Sequence, residues 1–186
     1  MLIVGLGNPG SEYRHTRHNI GREIVEQFRE KNDFPDFRFE KKWNAHISEK
    51  RIGKEKVALV LPETMMNNSG KTVGPLLRFL RIAGKNLFVI HDDADIPLGK
   101  GKMAFAKSSA GHKGVESVIR ALKKSEFWRF RIGIGAKRDV PAEKLVLKRW
   151  RPEEARAVKK IAAKTLSALE EAILRGPEMA MNEYNK

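Results

Sequence analysis

Cysteine is absent from this chain of 186 residues. That single absence removes disulfides, thiolate nucleophiles, iron–sulfur clusters and cysteine-ligated zinc. Long apolar runs are also missing, so no helix is expected to span a membrane. The opening MLIVGLGNPG has no basic leader and only a short apolar stretch, and it is not expected to act as a signal peptide. Aromatic residues are sparse, at 8%, and none interleave with basic residues in the manner of a base-reading surface. No zinc finger or RNP sequence is present either. Acidic residues are in deficit, 23 against 37 Lys and Arg, for a net charge of +14. A surplus of that size favours a polyanionic partner, although it also serves solubility. What remains, with 41% hydrophobic residues, is enough for a sizeable core. The expectation is one cytoplasmic domain over residues 1–186.

Apolar periodicity alternates between strand and helix along the chain. Met1–Leu6 reads as a buried strand that ends at Gly7-Asn8-Pro9-Gly10. A helix begins at Asn19-Ile20-Gly21, with Ile20, Ile24, Val25 and Phe28 on one face. Asn44–Lys50 and Lys56–Leu61 flank Arg51-Ile52-Gly53-Lys54 as a hairpin. Val73–Ile82 reads as a helix with Leu76, Leu77, Phe79 and Leu80 inside and Pro75 in its first turn. Leu87–Ile90, Lys102–Ala106 and Arg129–Gly135 read as strands, and Val115–Leu122 as a helix. Pro152–Leu174, between Pro152 and Gly176-Pro177, is the longest helix. This pattern predicts an α/β fold in a single domain: a twisted, mixed, mostly parallel sheet flanked by helices.

Gly5-Leu6-Gly7-Asn8-Pro9-Gly10 matches the dinucleotide-binding pattern G-x-G-x-x-G after a strand. Such a site needs a helix starting at the motif, so that its amides meet the pyrophosphate. Pro9 and the polar Ser11–Arg17 delay the helix, so a turn presenting Asn8 is the better reading. His18 stands where this polar loop becomes helix, on the carboxyl side of the first strand, where α/β sites assemble. Asp92 ends a later strand and reaches the same crevice, which pairs a general base with an orienting carboxylate. With no cysteine and no G-x-S-x-G elbow, the attacking species would be water. A metal set drawn from His15, His18, His91, Asp92, Asp93 and Asp95 matches no ligand spacing, and no metal is expected. Asn67 and Asn68 lie between a strand and a helix. One is expected to cap the helix and the other to offer its amide to a neutral substrate group. Nine Lys and Arg fall within 99–131 and ten within 137–164, which suggests a phosphate track read by charge and shape.

These motifs run in order over nearly the whole chain. They include Val4-Gly5-Leu6-Gly7-Asn8-Pro9-Gly10, Tyr13 with Thr16-Arg17-His18-Asn19-Ile20-Gly21, and Pro62-Glu63-Thr64-Met65-Met66-Asn67-Asn68-Ser69-Gly70. They continue in His91-Asp92-Asp93-Ala94-Asp95-Ile96-Pro97-Leu98-Gly99, Gly111-His112-Lys113-Gly114, Arg129–Gly135 and Ala180-Met181-Asn182. As a set they resemble the bacterial peptidyl-tRNA hydrolase family. The resemblance implies a monomeric enzyme that uses no metal or cofactor and cleaves the ester joining a peptide to the 3′-terminal ribose of tRNA. It implies a catalytic group of His18, Asp92 and Asn8. It also implies substrate binding by Tyr13, Met65, Met66, Asn67, His112 and Lys113, and tRNA-phosphate contacts at Lys102, Lys107 and Arg131. Lys113 replaces the asparagine usual in that family, which implies altered substrate affinity, since lysine donates hydrogen bonds but cannot accept them. Ala104 stands where relatives often carry a second cation, a role for which Lys107 or Lys113 would substitute. The alternative is a non-enzymatic RNA-binding protein on the same fold, which would need none of Asn8, His18, Asn67 and Asp92.

Overall fold

Strand β1 (Leu2–Gly5) is buried along its whole length, which is why its sequence is apolar without alternation. It lies at the middle of a seven-stranded sheet in a computed structural model that describes residues 1–135 and 141–186. The other strands are β2 (Arg38–Glu40), β3 (Ala45–Ile52), β4 (Glu55–Pro62), β5 (Leu87–Asp93), β6 (Gly101–Phe105) and β7 (Trp128–Gly133). Their spatial order is β2-β3-β4-β1-β5-β7-β6. The pairs β4–β1, β1–β5 and β5–β7 are parallel, while β2–β3, β3–β4 and β6–β7 are antiparallel. This is the single-domain, mixed α/β architecture expected, with its parallel strands at the centre.

The period of two along each strand divides the core between the two faces of the sheet. Ile3, Leu59, Phe88, Ile90 and Phe130 pack against α1 (Ile20–Lys31), α5 (Ala155–Arg175) and α6 (Pro177–Tyr184). Leu2, Val4, Val60, Leu87 and Val89 pack against α2 (Ser69–Phe79) and α3 (Lys113–Leu122). A short helix, α4 (Ala142–Val146), precedes α5. Close backbone approach fixes α1: a side chain at Gly21 would overlap the carbonyl oxygen of Ile90. The exposed edge of β6 is closed by Asn185, whose amide exchanges two bonds with the Met103 main chain, at 2.7 and 3.0 Å.

The helix expected over Val73–Ile82 instead begins at Ser69, so Pro75 lies in its interior. Gly70 explains the early start. A side chain there would meet the Ser117 carbonyl, so the bare backbone lets α2 press directly on α3. Pro75 has no N–H to donate to the Lys71 carbonyl four residues earlier. Phe79, expected inside, is 60% exposed. Its ring packs 5.0 Å from Trp43 beneath the Lys42 ammonium. Neither asparagine caps α2 with its side chain, because a single 3-10 turn, Met66–Asn68, runs straight into the helix. Strand β2 and helix α6 lack a strong apolar period and were not apparent from the sequence pattern.

Candidate active site

The chain leaves β1 for α1 on one face of the sheet and β4 for α2 on the other, so a crevice opens between their carboxyl ends. A cleft of about 390 Å³ occupies that place. The loop after β1 brings Asn8 to it, the turn before α1 brings His18, and β5 brings Asp92. The turn after β4 supplies Met65, Met66 and Asn67, and the start of α3 supplies His112 and Lys113. From α4 come Glu143 and Val146, followed by Leu147.

Asp92 is the hub. Its Oδ1 receives His18 Nδ1 at 2.8 Å and His112 Nε2 at 2.9 Å. His112 is also the N-cap of α3, where its Nδ1 accepts from the main-chain N–H groups of Gly114 and Val115 at 3.1 and 3.2 Å. That nitrogen must therefore carry a lone pair, which puts the His112 proton on Nε2, facing Asp92. With Asp92 accepting from both rings, His18 donates through Nδ1 and keeps the lone pair on Nε2. Burial alone would push the Asp92 carboxyl up. The neighbouring His112 and His18 overcome that cost and hold it well below the usual carboxylate range.

The Asn8 side chain is oriented just as firmly. Its Oδ1 accepts from Met66 N–H at 2.8 Å, so its Nδ2 donors are left for the cleft. Asn19 holds the loop from behind. Its Oδ1 takes the Asn8 N–H and its Nδ2 donates to the Asn8 carbonyl, both at 2.9 Å. Asn67 is exposed and lines the cleft.

Among the described residues, every carboxylate that lines the cleft is paired. Asp92 has its two imidazoles, Asp93 Oδ2 receives Arg131 Nε at 2.6 Å, and Glu143 Oε1 receives Lys113 Nζ at 2.6 Å. Lys113 beside it holds the Glu143 carboxyl below its ordinary value.

Among the described residues, one cluster offers three metal-ligating groups: His18, Asp92 and His112, with ligand atoms within 4.8 Å of one another. Its donor chemistry does not fit a cation. A metal on His112 Nε2 would require an imidazolate, since Nδ1 is already the acceptor for two amides. His91, at 0% exposure, is a core residue. Burial pushes its imidazole well below the ordinary value, and Nδ1 lies 2.6 Å from the Asp92 carbonyl oxygen. His15 is exposed and lies 3.5 Å from Glu23.

The remaining expected residues are spread more widely. Tyr13 is half-buried in the turn Ser11–Tyr13 and does not line the cleft. Lys102 lies opposite Arg131 in the β6–β7 register, so the two share one sheet face. Lys102 is exposed, and the Nη groups of Arg131 have no partner among the described residues. Lys107 is exposed in the loop after β6, away from the cleft lining. Lys137 and Arg138, part of the second basic stretch, lie outside the described residues. Sequence reasoning missed Asn19, Glu143, Val146 and Leu147. A polar residue at the apolar start of α1 was a usable signal for Asn19. The short α4 carries none.

A family model described as peptidyl-tRNA hydrolase matches residues 2–186. The peptidyl-tRNA hydrolase of Shouchella clausii is 42% identical over 186 residues, covering 99% of each chain. That of Aquifex aeolicus is 40% identical over 190 residues, covering 100% of this chain and 96% of the relative. The crystal structure of peptidyl-tRNA hydrolase from Acinetobacter baumannii superposes with a TM-score of 0.92 at 33% identity, covering 99% of this chain and 93% of that one.

Proposed function

The chain belongs to the peptidyl-tRNA hydrolase family, and we propose that it cleaves the peptidyl-tRNA ester with water activated by His18. The observation that carries this reading is the directed path of hydrogen bonds from the α3 amides through His112 to Asp92 and His18. It leaves a basic Nε2 on His18 in a cleft that also holds the Asn8 amide donors.

In the reaction, Nε2 takes a proton from water as the water oxygen attacks the ester carbonyl carbon. The carbon–oxygen bond to the ribose then breaks, and the leaving 3′-oxygen takes that proton back from His18. Asp92, already anionic, favours the imidazolium formed between these steps without itself being protonated. Asn8 Nδ2 donates to the developing oxyanion, and Asn67 to the peptide backbone. Met65 and Met66 form the apolar wall beside the acyl group, while Lys102 and Arg131 hold phosphates on one sheet face. Tyr13 and Lys107 lie further out, where the RNA rather than the ester would reach them.

Selectivity for blocked substrates follows from the paired carboxylates. The free α-ammonium of an aminoacyl-tRNA would shed its hydration in a cleft whose carboxylates, among the described residues, are all paired. Among the described residues no helix is long and apolar enough to cross a membrane, and substrate chemistry of this kind belongs with translation in the cytoplasm. Non-enzymatic RNA binding is disfavoured, because a hydrogen-bonded His–Asp–His set contributes nothing to holding phosphates.

The deciding experiment incubates the purified protein with N-acetyl-aminoacyl-tRNA and with its unblocked counterpart. The blocked ester should be cleaved preferentially, and His18→Ala should slow cleavage by about 10³-fold. Cleavage that survives His18→Ala unchanged would overturn the assignment.

A further inference from the structure

We propose that Arg17 is a positioning residue for the hydrolytic step, working with Glu154 to hold His18 against Asp92. This rests on the reading of His18 as the base. His18 sits in a single 3-10 turn, Arg17–Asn19, whose preceding residue, Thr16, provides no side-chain cap. One such turn has little stability of its own. Its neighbours in sequence supply what it lacks. On one side Asn19 ties it to Asn8, and on the other Arg17 ties it to the C-terminal half of the chain.

The Arg17 side chain points away from the cleft and is 4% exposed. Nη1 donates to the carbonyl of Ile134, the residue after β7, at 3.1 Å. Nη2 donates to both carboxylate oxygens of Glu154, at 2.8 and 2.6 Å. The guanidinium lies 4.6 Å over the Trp150 ring. In the main chain, Arg17 N–H bonds to the Lys148 carbonyl at 3.0 Å, and Thr16 forms a bridge with Arg149. Glu154 is itself held by the Arg151 N–H at 2.8 Å. Two segments distant in sequence, Ile134 and Lys148–Glu154, are thus gathered on the residue immediately before the base. None of these contacts touches substrate, so their effect reaches the chemistry only through the placement of His18. A displacement of about 1 Å at such a group is enough to cost about 10²-fold in rate.

Two variants of the full chain test this: Arg17→Lys, which keeps charge but loses the planar fork, and Glu154→Gln, which keeps an acceptor for Arg151. The measurements are kcat and KM on N-acetyl-aminoacyl-tRNA, Kd for deacylated tRNA, Tm, and the proton resonance of His18 Nδ1–H. We expect kcat to fall by about 10²-fold in Arg17→Lys and about tenfold in Glu154→Gln. KM and the tRNA Kd should stay within about twofold, because the lost interaction is not with the ligand. The His18 Nδ1–H resonance should move or broaden while that of His112 Nε2–H does not. A folded variant with unchanged kcat and an unmoved His18 resonance, whatever its Tm, would overturn the proposal and leave the pair a purely structural tie. If Arg17→Lys does not fold, Glu154→Gln decides alone. A wild-type protein inactive on the blocked ester would instead defeat the reading of His18 as the base, and the resonance tests the positioning independently of activity.

Discussion

Arg17–Glu154, behind the turn that carries His18, and Lys113–Glu143, at the cleft, share a shortest separation of 2.6 Å and differ in almost everything else. Arg17–Glu154 has side-chain exposures of 4% and 17%, while Lys113–Glu143 has 62% and 76%. In the first, both carboxylate oxygens take one nitrogen of a guanidinium that is stacked on an aromatic ring and tied to the main chain, so losing Glu154 would strand a buried positive charge. The second is monodentate, with water ready to replace either partner. Distance alone therefore says little about what an ion pair does. The buried pair anchors the catalytic turn, and the exposed pair tunes the charge at the cleft mouth.

The comparison is sharpened most by Arg17→Met. It leaves the partly buried Glu154 without its counter-charge and should cost about 1–3 kcal/mol of stability, the cost of leaving such a group short of its partner. Thermal denaturation against the wild type would show it, and an unchanged Tm would place the two pairs in the same class after all.

Acid provides the next contrast. Burial pushes the Glu154 carboxyl up, but its bonds to Arg17 and Arg151 prevail, so its folded value lies below the ordinary 4.5. The sign follows from that depression: its stabilising contribution is complete above pH 4.5 and is lost as the pH falls through the lower folded value. Asp92 acts in the same direction and deeper into acid, since its folded value is depressed much further. Wild type should therefore lose stability below pH 4.5 more steeply than Glu154→Gln does. Parallel curves would remove Glu154 from the account.

The exposed pair should answer differently. Lys113→Asn ought to leave Tm unchanged but free the Glu143 carboxylate to receive an α-ammonium. The kcat/KM ratio between blocked and unblocked aminoacyl-tRNA should then narrow by about two- to fivefold. An unaltered ratio would mean that Lys113 has no part in selectivity. Smallest of all, 0.5 M salt should change that ratio in the wild type by less than about twofold, because it screens both the exposed Lys113–Glu143 pair and the attraction of Glu143 for an α-ammonium. Parallel assays with a minimal substrate carrying few phosphates would separate this effect from weakened tRNA binding.

Much of this architecture is legible in the sequence because it rests on local patterns. The uninterrupted apolar runs at Leu2–Gly5 and Leu87–Ile90 mark central parallel strands, and the Gly53 hairpin marks an antiparallel extension. His18, Asp92 and Asn8 stand out because each follows or ends such a strand. Failures occurred where a distant contact outweighed a local preference. Gly70 moves the start of α2 by packing on Ser117, and the aromatic face of Trp43 lets Phe79 remain outside. His112 was legible as part of a motif, but not as the cap that fixes its own tautomer.

The sequence by itself determined the class of fold, the absence of thiol chemistry, the excess of cations and the residues able to move a proton. These depend on composition and short-range period, and both are properties of neighbours in the chain. Only the tertiary structure decided which nitrogen of His18 is left basic, where Lys113 turns, and that Arg17 faces away from the chemistry it supports. Hydrogen-bond direction and burial depend on atoms brought together from distant positions, 137 apart for Arg17 and Glu154, and no local pattern encodes those meetings.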